Sequence, residues 1–196
     1  FMVVGVAFKF GAVPFHMWVP DVYDGAATPV TLYIGTAPKL GALALAVRLL
    51  VEGAEGLVSF WEPMLAALAV LSLVLGNVAA IAQTSIRRML AYSTISHVGF
   101  ILLGLVAGSP AGVQAALFYT IVYVIMAAGA FGFLVMLGSR GQEVTELDDL
   151  RGLWERSPWF TLMMVLLMIS MIGVPPLAGF YAKWWILAAL LNSGYM

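Results

Sequence analysis

Three lysines lie inside segments that are otherwise apolar enough to sit in a lipid bilayer. They are Lys9, Lys39 and Lys183, whereas all the arginines fall in polar loops or near the ends of apolar segments. An ammonium group at the centre of a membrane costs about 3 kcal/mol even on a lenient scale. Lysine can release its proton when it is removed from water, and arginine effectively cannot. The choice of lysine therefore favours groups that change charge, or groups that pair with an acid from another part of the protein.

Each of these lysines has a helix-breaking proline near it. In chain order the pairs are Lys9 with Pro14, Lys39 with Pro38, and Lys183 with Pro175-Pro176. A proline inside a helix leaves a carbonyl without its donor, and in a membrane such carbonyls persist only where protein or water satisfies them. Broken helices beside charged groups are typical of a hydrated ion path. Two other interpretations stay open: the prolines are ordinary kinks, and a lysine near a helix end extends its amine to the membrane surface.

The acidic residues do not accompany the lysines. All ten fall in loops or at segment boundaries: Asp21, Asp24, Glu52, Glu55, Glu62, Glu143, Glu146, Asp148, Asp149 and Glu155. The sequence therefore provides no nearby carboxylate for any of the three lysines.

Both histidines are candidates for the same path. His97 shares a helix face with Ser93 and Ser96 at spacings i, i+3 and i+4, and such groups can pass or orient a proton through water. His97 is equally consistent with a hydrogen-bonded packing residue. His16 lies one heptad beyond Lys9, close to the same face if the helix resumes after the intervening proline.

The overall composition is that of an integral membrane protein. Of the 196 residues, 63% are hydrophobic and 10% are charged, and the mean hydropathy is +1.02. This is too little polar surface for a water-soluble globule. With a net charge of −1, no cysteine and two distant histidines, we expect no nucleic-acid partner, no disulfide and no metal site. No signal peptide is recognisable. Both ends lie in apolar sequence, so we expect a segment of a longer chain.

Apolar runs of about 20 residues, enough to cross a bilayer, follow one another with short connections. They predict one all-α, polytopic transmembrane helical bundle over residues 1–196, with discontinuous helices. The crossings are expected near 1–14, 29–50, 63–83, 88–107, 112–137 and, broken, 157–192. Alternation of these crossings places five arginines on one side, which the positive-inside rule identifies as cytoplasmic: Arg87, Arg88, Arg140, Arg151 and Arg156.

Four blocks of the sequence resemble the antiporter-like membrane subunits of respiratory complex I, the NADH-quinone oxidoreductase. They are FKFGAVPFHMWVPDVYDGAATPVTLYIGTAPKLG at 8–41, NVAAIAQTSIRRMLAYSTISHVGF at 77–100, ELDDLRGL at 146–153 and GVPPLAGFYAKW at 173–184. The likeness spans essentially the whole chain. Within that family, the PFHMWVPDVY and QTSIRRMLAYSTISH stretches are more similar to the N subunits than to the L and M subunits.

The resemblance implies a role for each candidate residue. Lys9 matches a lysine that pairs, in that family, with a glutamate on an earlier helix. Lys39 matches the lysine that connects two half-channels along a central polar axis. Lys183 matches the terminal lysine of the second discontinuous helix, and His97 a histidine of the same axis. The family's fold is an inverted pair of five-helix units, of which this chain would hold the end of the first and most of the second.

The resemblance also implies a function. The chain would belong to a multi-pass subunit of the cell inner (cytoplasmic) membrane that couples NADH:quinone oxidoreduction to proton pumping through buried lysines. Its partners would be the lipid bilayer and other membrane-arm subunits, including other antiporter-like ones. It would hold no cofactor, because flavin, iron–sulfur clusters and quinone would be bound by other subunits. Two alternatives remain: a stand-alone or multisubunit cation/proton antiporter subunit, and a structural scaffold of the membrane arm.

Overall fold

The chain folds as a bundle of helices, which confirms the predicted all-α class. A computed structural model describes residues 1–138 and 143–194, and Arg140 lies outside these ranges. The α-helices are α1 (Met2–Phe10), α2 (Trp18–Gly25), α3 (Thr28–Gly35), α4 (Ala37–Ala46), α5 (Val58–Ile81), α6 (Ile86–Val106), α7 (Pro110–Leu137), α8 (Leu153–Arg156), α9 (Pro158–Ile172) and α10 (Ala178–Asn192). A π-helix at Val47–Glu52 and 3₁₀ turns at Glu55–Leu57 and Leu147–Leu150 connect them.

Helical stretches long and apolar enough to cross a membrane make up most of the bundle. Among the described residues they are Thr28–Glu52, Glu55–Ile81, Ile86–Val106 and Pro110–Leu137, and Pro158–Ile172 is a shorter apolar helix. The chain is therefore a multi-pass membrane protein. Discontinuity is pronounced at both ends of the sequence, where α1 and α2, and likewise α9 and α10, are half-length helices separated by a short break.

Two of the expected crossings differ from the helices in the structure. The first does not end at residue 14, because α1 stops at Phe10 and helical structure resumes as α2 at Trp18. The crossing expected at 29–50 is interrupted at Thr36, which has φ −116° and ψ −85° and separates α3 from α4. Pro38, two residues after Thr36, has no N–H to donate to the carbonyl of Ile34, and its ring would clash with that carbonyl in a continuous helix. Pro38 is tolerated in the first turn of a new helix, which is where α4 places it. The sequence indicated a break near Lys39, because Pro38 lies beside it, but it did not show the residue at which the helix stops.

Helix α6 forms the centre of the bundle and is covered by α5 on one side and by α7 on another. Its first turn is capped by Ser85, whose Oγ accepts the backbone N–H of Arg88. Close packing against α5 depends on a glycine, because a Cβ at Gly76 would lie 2.7 Å from the backbone nitrogen of Ser96. Small residues at such crossings let two membrane helices approach each other.

The two broken helices run in opposite directions. The C-terminal end of α2 lies beside the N-terminal end of α6, where Ser85 Oγ donates to Asp24 Oδ1 at 2.7 Å. The segment that leads into α8 and α9 lies at the same end, because the N–H of Ile86 donates to the carbonyl of Thr145 at 2.9 Å. Thus α2 ends, and α9 begins, on one side of the bundle. The pairs α1–α2 and α9–α10 are antiparallel, which is the relation that inverted repeats require.

Candidate functional site

The first break, residues 11–17, separates α1 from α2. Gly11 ends α1 with φ 73°, a left-handed conformation that glycine adopts without strain. Pro14, inside the break, has no N–H to donate. The N–H of Val13 donates to Ser72 Oγ on α5 at 3.0 Å, and Ser72 is fully buried. A serine from a neighbouring helix therefore replaces the intrahelical partner that the break removes.

Lys39 places its ammonium group on the C-terminal end of α1. Its side chain comes from the first turn of α4, and its Nζ donates to the carbonyl oxygen of Phe10 at 2.7 Å. Lys39 is only 2% exposed. The last carbonyls of a helix lack intrahelical donors and form the negative end of the helix dipole. The Trp18 ring centroid lies 5.9 Å from the same Nζ, within cation–π range.

Lys9 and Lys39 line the same cavity at the first break. This cavity of about 410 Å³ is lined by Phe8, Lys9, Trp18, Ile34, Pro38 and Lys39. Lys9 lies in the last turn of α1 and is exposed on the surface of the chain. In the part of the chain that the structure describes, every ion pair joins an arginine to an acid, and none involves a lysine. Two amines thus border one cavity without a carboxylate between them in those ranges.

The second break, residues 173–177, separates α9 from α10. Gly173 ends α9 in the left-handed region, with φ 91°. Lys183, on α10, turns its amine back to the end of α9, where Nζ donates to the carbonyls of Met171 at 3.1 Å and Ile172 at 2.8 Å. The Phe100 ring centroid lies 4.9 Å from the same Nζ. At both breaks, therefore, a lysine amine donates to backbone carbonyls at the C-terminal end of a short helix.

His97 lies near Lys183, in the interior of the bundle. The two residues line one cavity of about 300 Å³. His97 is 5% exposed, and its Nδ1 lies 2.6 Å from Tyr119 Oη on α7. The histidine is thus hydrogen-bonded in the core and also borders a cavity that a lysine borders.

The helix face predicted to carry polar groups borders the same cavity. Ser93 and Ser96 line it together with Asn77 from α5, and Asn77 Nδ2 donates to Ser96 Oγ at 2.9 Å. Ser93 lies less than two turns from Arg87, at the end of α6 where α2 ends. The cavity therefore extends from Lys183 toward the side on which the arginines were expected.

His16 occupies the first break, but it is not among the residues that line either lysine cavity. Its Nδ1 is buried and has no hydrogen-bond partner within residues 1–138 and 143–194. Its backbone carbonyl accepts the N–H of Val19 at 2.9 Å, which starts α2. The structure therefore places His16 in the turn between α1 and α2, outside the lining of the cavity that Lys9 borders.

Three buried hydroxyl groups beside His97 were missed by sequence reasoning. Tyr119 and Tyr123 lie one turn apart on α7, and Thr94 lies one turn before His97 on α6. Tyr123 Oη lies 2.9 Å from Thr94 Oγ1 and 3.3 Å from the carbonyl of Gly35. The only signal in the sequence was the i, i+4 spacing of two tyrosines in an apolar helix, which is more often simple core packing.

Ion pairs hold together the end of the bundle where α2 ends and α9 begins. We call this group the Arg87 cluster: Asp21, Asp24, Arg87, Arg88 and Glu143. Arg87 is 8% exposed, and its Nη1 lies 2.8 Å from Glu143 Oε2 while its Nε lies 3.9 Å from Asp24 Oδ1. Arg88 pairs with Asp21 at 3.2 Å. Acids that the sequence placed at boundaries thus find their partners there.

Glu143 is the acceptor that joins the loop to the start of α3. The backbone N–H and the Oγ1 of Thr28 donate to its two carboxylate oxygens at 3.1 and 3.0 Å. These hydrogen bonds, the backbone one first, and the charge of Arg87 hold the pKa of Glu143 below its ordinary value. Glu143 is therefore ionised at neutral pH and fixes the loop after α7 to the α2–α3 junction.

The two breaks bring together groups that carry protons. They are amines, an imidazole and phenol hydroxyls, in an interior otherwise filled with apolar side chains. The sequence has no cysteine, and within the described ranges no group of three or more histidine, aspartate or glutamate side chains is placed to hold a metal ion.

Comparison with protein families gives the ancestry of this arrangement. Residues 1–196 match the family model described as "NADH:quinone oxidoreductase/Mrp antiporter, TM". The chain belongs to this NADH:quinone oxidoreductase/Mrp antiporter family. The resemblance noted from the four sequence blocks is thereby confirmed.

Individual members of the family agree with the match. NADH-quinone oxidoreductase subunit N of Thioalkalivibrio sulfidiphilus is 64% identical over 192 residues, which are 98% of this chain and 40% of the relative. A chain of respiratory complex I from Thermus thermophilus with bound aureothin has a TM-score of 0.82 at 38% identity, covering 98% of this chain and 42% of that one. A chain of the Mrp complex from Dietzia has a TM-score of 0.86 at 25% identity, covering 99% and 36%. The chain therefore spans about 40% of the length of the curated relative.

Proposed function

We propose that this chain is part of a proton-translocating, antiporter-like membrane subunit of respiratory complex I. The subunit couples NADH:quinone oxidoreduction elsewhere in the complex to proton pumping. One observation carries the proposal: at both breaks a lysine amine lies on the C-terminal carbonyls of a half-helix, in two broken helices of opposite direction. The helix end favours the charged amine and burial favours the neutral one. An amine under these opposing influences is suited to gain and to release a proton.

The lining of the two cavities supports a division of the candidate residues into two groups. Lys9 and Lys39 exchange protons at the first break, and Lys183 and His97 at the second. The cavity of Lys183 is lined by polar residues toward the end of the bundle that bears the Arg87 cluster. The positive-inside rule makes that end cytoplasmic, so proton uptake at the second break proceeds from the cytoplasm.

The remaining parts of the proposal concern the complex around this chain. Flavin, iron–sulfur clusters and quinone are bound by other subunits, and this chain holds no cofactor. It lies in the cell inner membrane and contacts other membrane-arm subunits, antiporter-like ones included. Support for this assembly comes from the relatives, whose names and structures are those of complex I.

Replacing the lysines tests the proposal in the assembled complex. We expect Lys39→Ala and Lys9→Ala to lower the quinone reductase activity that is linked to proton pumping, while the amount of assembled complex stays unchanged. Arg151→Ala is the matched control, because Arg151 is also a cation but its side chain is 80% exposed in a loop. Normal activity in assembled Lys39→Ala complex would contradict the proposal.

A second candidate function is that of a cation/proton antiporter subunit. The similarity to a chain of the Mrp complex, with a TM-score of 0.86, favours it. Ion exchange measured in vesicles without NADH or quinone distinguishes the two functions. Exchange that needs neither compound supports the antiporter, and proton movement that occurs only with both supports the complex I subunit.

A further inference from the structure

We infer that three buried hydroxyl groups, those of Tyr119, Tyr123 and Thr94, carry protons between His97 and the α3–α4 junction beside Lys39. This inference rests on the proposed function, because it needs the lysines at the two breaks to exchange protons. It assigns the connection between the two breaks to particular side chains.

The first link joins the imidazole to α7. Tyr119 Oη lies 2.6 Å from His97 Nδ1, and the ring centroids of Tyr119 and Tyr123 lie 5.9 and 5.1 Å from that of the imidazole. Both tyrosines are at most 1% exposed. Residues at i and i+4 occupy the same face of a helix. Both phenols therefore belong to one cluster around His97.

The second link leaves the cluster toward the first break. Tyr123 Oη has two acceptors within reach, Thr94 Oγ1 at 2.9 Å and the carbonyl of Gly35 at 3.3 Å. A phenol has one proton and can donate it to only one acceptor at a time. Thr94 Oγ1 donates in turn to the carbonyl of Leu90 at 2.9 Å. The Tyr123 hydroxyl can thus rotate between an acceptor on α6 and one on α3.

A third phenol lies at the place where this link ends. Tyr23 is fully buried, and its Oη has no hydrogen-bond partner in the described part of the chain. A side chain built at Gly35 would begin 3.3 Å from that Oη, so the hydroxyl lies against the α3–α4 junction. Lys39 follows Gly35 across this junction, in the first turn of α4. An unpaired buried hydroxyl is costly and calls for an explanation, and here it adds a donor and an acceptor next to Gly35.

The proton transfer is balanced without forming a charged tyrosine. An ammonium at one break loses a proton and becomes an amine, and the neutral amine at the other break gains one. Water in the two lysine cavities carries the proton between each amine and the nearest imidazole or hydroxyl group. Each hydroxyl in between accepts a proton on a lone pair as it gives up its own. The imidazole accepts at one nitrogen and releases from the other. Rotation of the hydroxyls and a flip of the imidazole ring then restore the starting state.

Core packing alone would not require these hydroxyls. Phenylalanine fills nearly the same space as tyrosine, and valine nearly the same space as threonine. Burying a hydroxyl is unfavourable unless it is hydrogen-bonded, and a hydrogen or a methyl group in its place needs no partner. If the cluster only packed, removal of the hydroxyls would leave proton transfer unchanged.

The test uses inverted membrane vesicles that contain the assembled complex with its full-length chain. The variants are Tyr119→Phe, Tyr123→Phe, their combination, and Thr94→Val. Tyr33→Phe is the matched control, since Tyr33 lies on α3 but is 64% exposed. The measurements are the amount of assembled complex, the rate of NADH:quinone turnover, the number of protons moved per NADH, and the effect of replacing H₂O by D₂O on the rate.

We expect the double variant to slow coupled turnover by about 100-fold, the low end of what a positioned proton-transfer group contributes. Each single variant lowers the rate less and increases the D₂O effect, while the control behaves as the unmodified complex. Unchanged turnover and proton yield in both the double variant and Thr94→Val would overturn the inference. If the double variant does not assemble, the D₂O effect in Tyr119→Phe decides, and an unchanged effect counts against the inference.

Lys39→Ala measured in the same vesicles distinguishes a failure of the hydroxyl path from a failure of the proposed function. A loss of pumping in Lys39→Ala with normal pumping in the tyrosine variants would reject the hydroxyl path and leave the proposed function standing. Normal pumping in Lys39→Ala would reject the proposed function itself.

Discussion

The two breaks hold a lysine amine in the same chemical environment but by different connections. Lys39 belongs to α4 and reaches the end of α1, a separate helix. Lys183 belongs to α10 and reaches back across its own break to α9. Lys39 is 2% exposed, whereas Lys183 is only partly buried. A change of charge at Lys39 therefore acts on the contact between two crossings, and a change at Lys183 acts within one.

Arginine at each position should have the largest effect and should separate the two lysines. Arginine keeps the positive charge but cannot release the proton. For Lys39→Arg we expect pumping-linked turnover to fall by about 100-fold, the low end of what a positioned proton-transfer group contributes, and for Lys183→Arg by roughly tenfold, below that range. The smaller loss at Lys183 follows from its greater exposure, which lets water take over part of the transfer. Proton uptake per NADH in vesicles measures both.

Equal losses in the two arginine variants would show that connection and burial do not matter. Full activity in Lys39→Arg would show that a fixed charge is enough there. The amount of assembled complex serves as the control in both cases.

Ser72 and Ser170 accept hydrogen bonds from backbone N–H groups at or near the two breaks. Replacing each serine compares how much these bonds stabilise the two breaks. Ser72→Ala leaves the buried N–H of Val13 without its acceptor, so we expect a loss of about 2 kcal/mol in the free energy of unfolding. Ser170→Ala removes the longer bond, 3.3 Å, from the N–H of Gly179, and we expect about 1 kcal/mol. Thermal unfolding of the purified full-length subunit measures both.

Ser193→Ala is the control for these serine variants, because Ser193 is exposed and only follows the end of α10. We expect its unfolding temperature to match that of the unmodified protein. A larger loss in Ser170→Ala than in Ser72→Ala would reverse the order of support assigned to the two breaks.

The smallest expected effect concerns the Arg87 cluster, which joins the α2–α3 junction to the loop before α9. The pKa of Glu143 is lower in the folded protein than its ordinary value of 4.5. Its contribution to stability is therefore complete above pH 4.5 and is lost as the pH falls through the folded-state pKa. We expect the unfolding temperature of the unmodified protein to fall more steeply in that window than that of Glu143→Gln. Parallel pH profiles would show that the carboxylate does not stabilise the junction.

Local signals in the sequence predicted the breaks, but not the contacts made across them. Proline, glycine and isolated lysines act on their own helix, so Lys39 and Lys183 could be placed beside discontinuities. The partner of Lys39 lies 29 residues away, at Phe10, and the partner of Val13 lies 59 residues away, at Ser72. Such pairs depend on the rotation and depth of one helix relative to another, which a single sequence does not specify.

The charge pattern of the sequence predicted the side of the membrane on which the arginines lie, but not the acidic residues with which they pair. Arg87 was expected on the cytoplasmic side by the positive-inside rule. In the structure it begins α6, is 8% exposed and pairs with Glu143, 56 residues away. The same limit applies to Tyr119 and Tyr123, because the apolar sequence around a tyrosine does not indicate whether its hydroxyl has a hydrogen-bond partner.

The hydrogen bond between Lys39 and the Phe10 carbonyl affects how far the charge of the ammonium group acts inside the bundle. The end of a helix carries only about half an elementary charge, so it lowers the self-energy of an ammonium ion without cancelling its field. A carboxylate partner would have neutralised that field at short range. Because the interior has a low dielectric constant, a change of charge at Lys39, as the proposed function requires, would alter the electrostatic potential at neighbouring amines, and such coupling needs no large movement of the backbone.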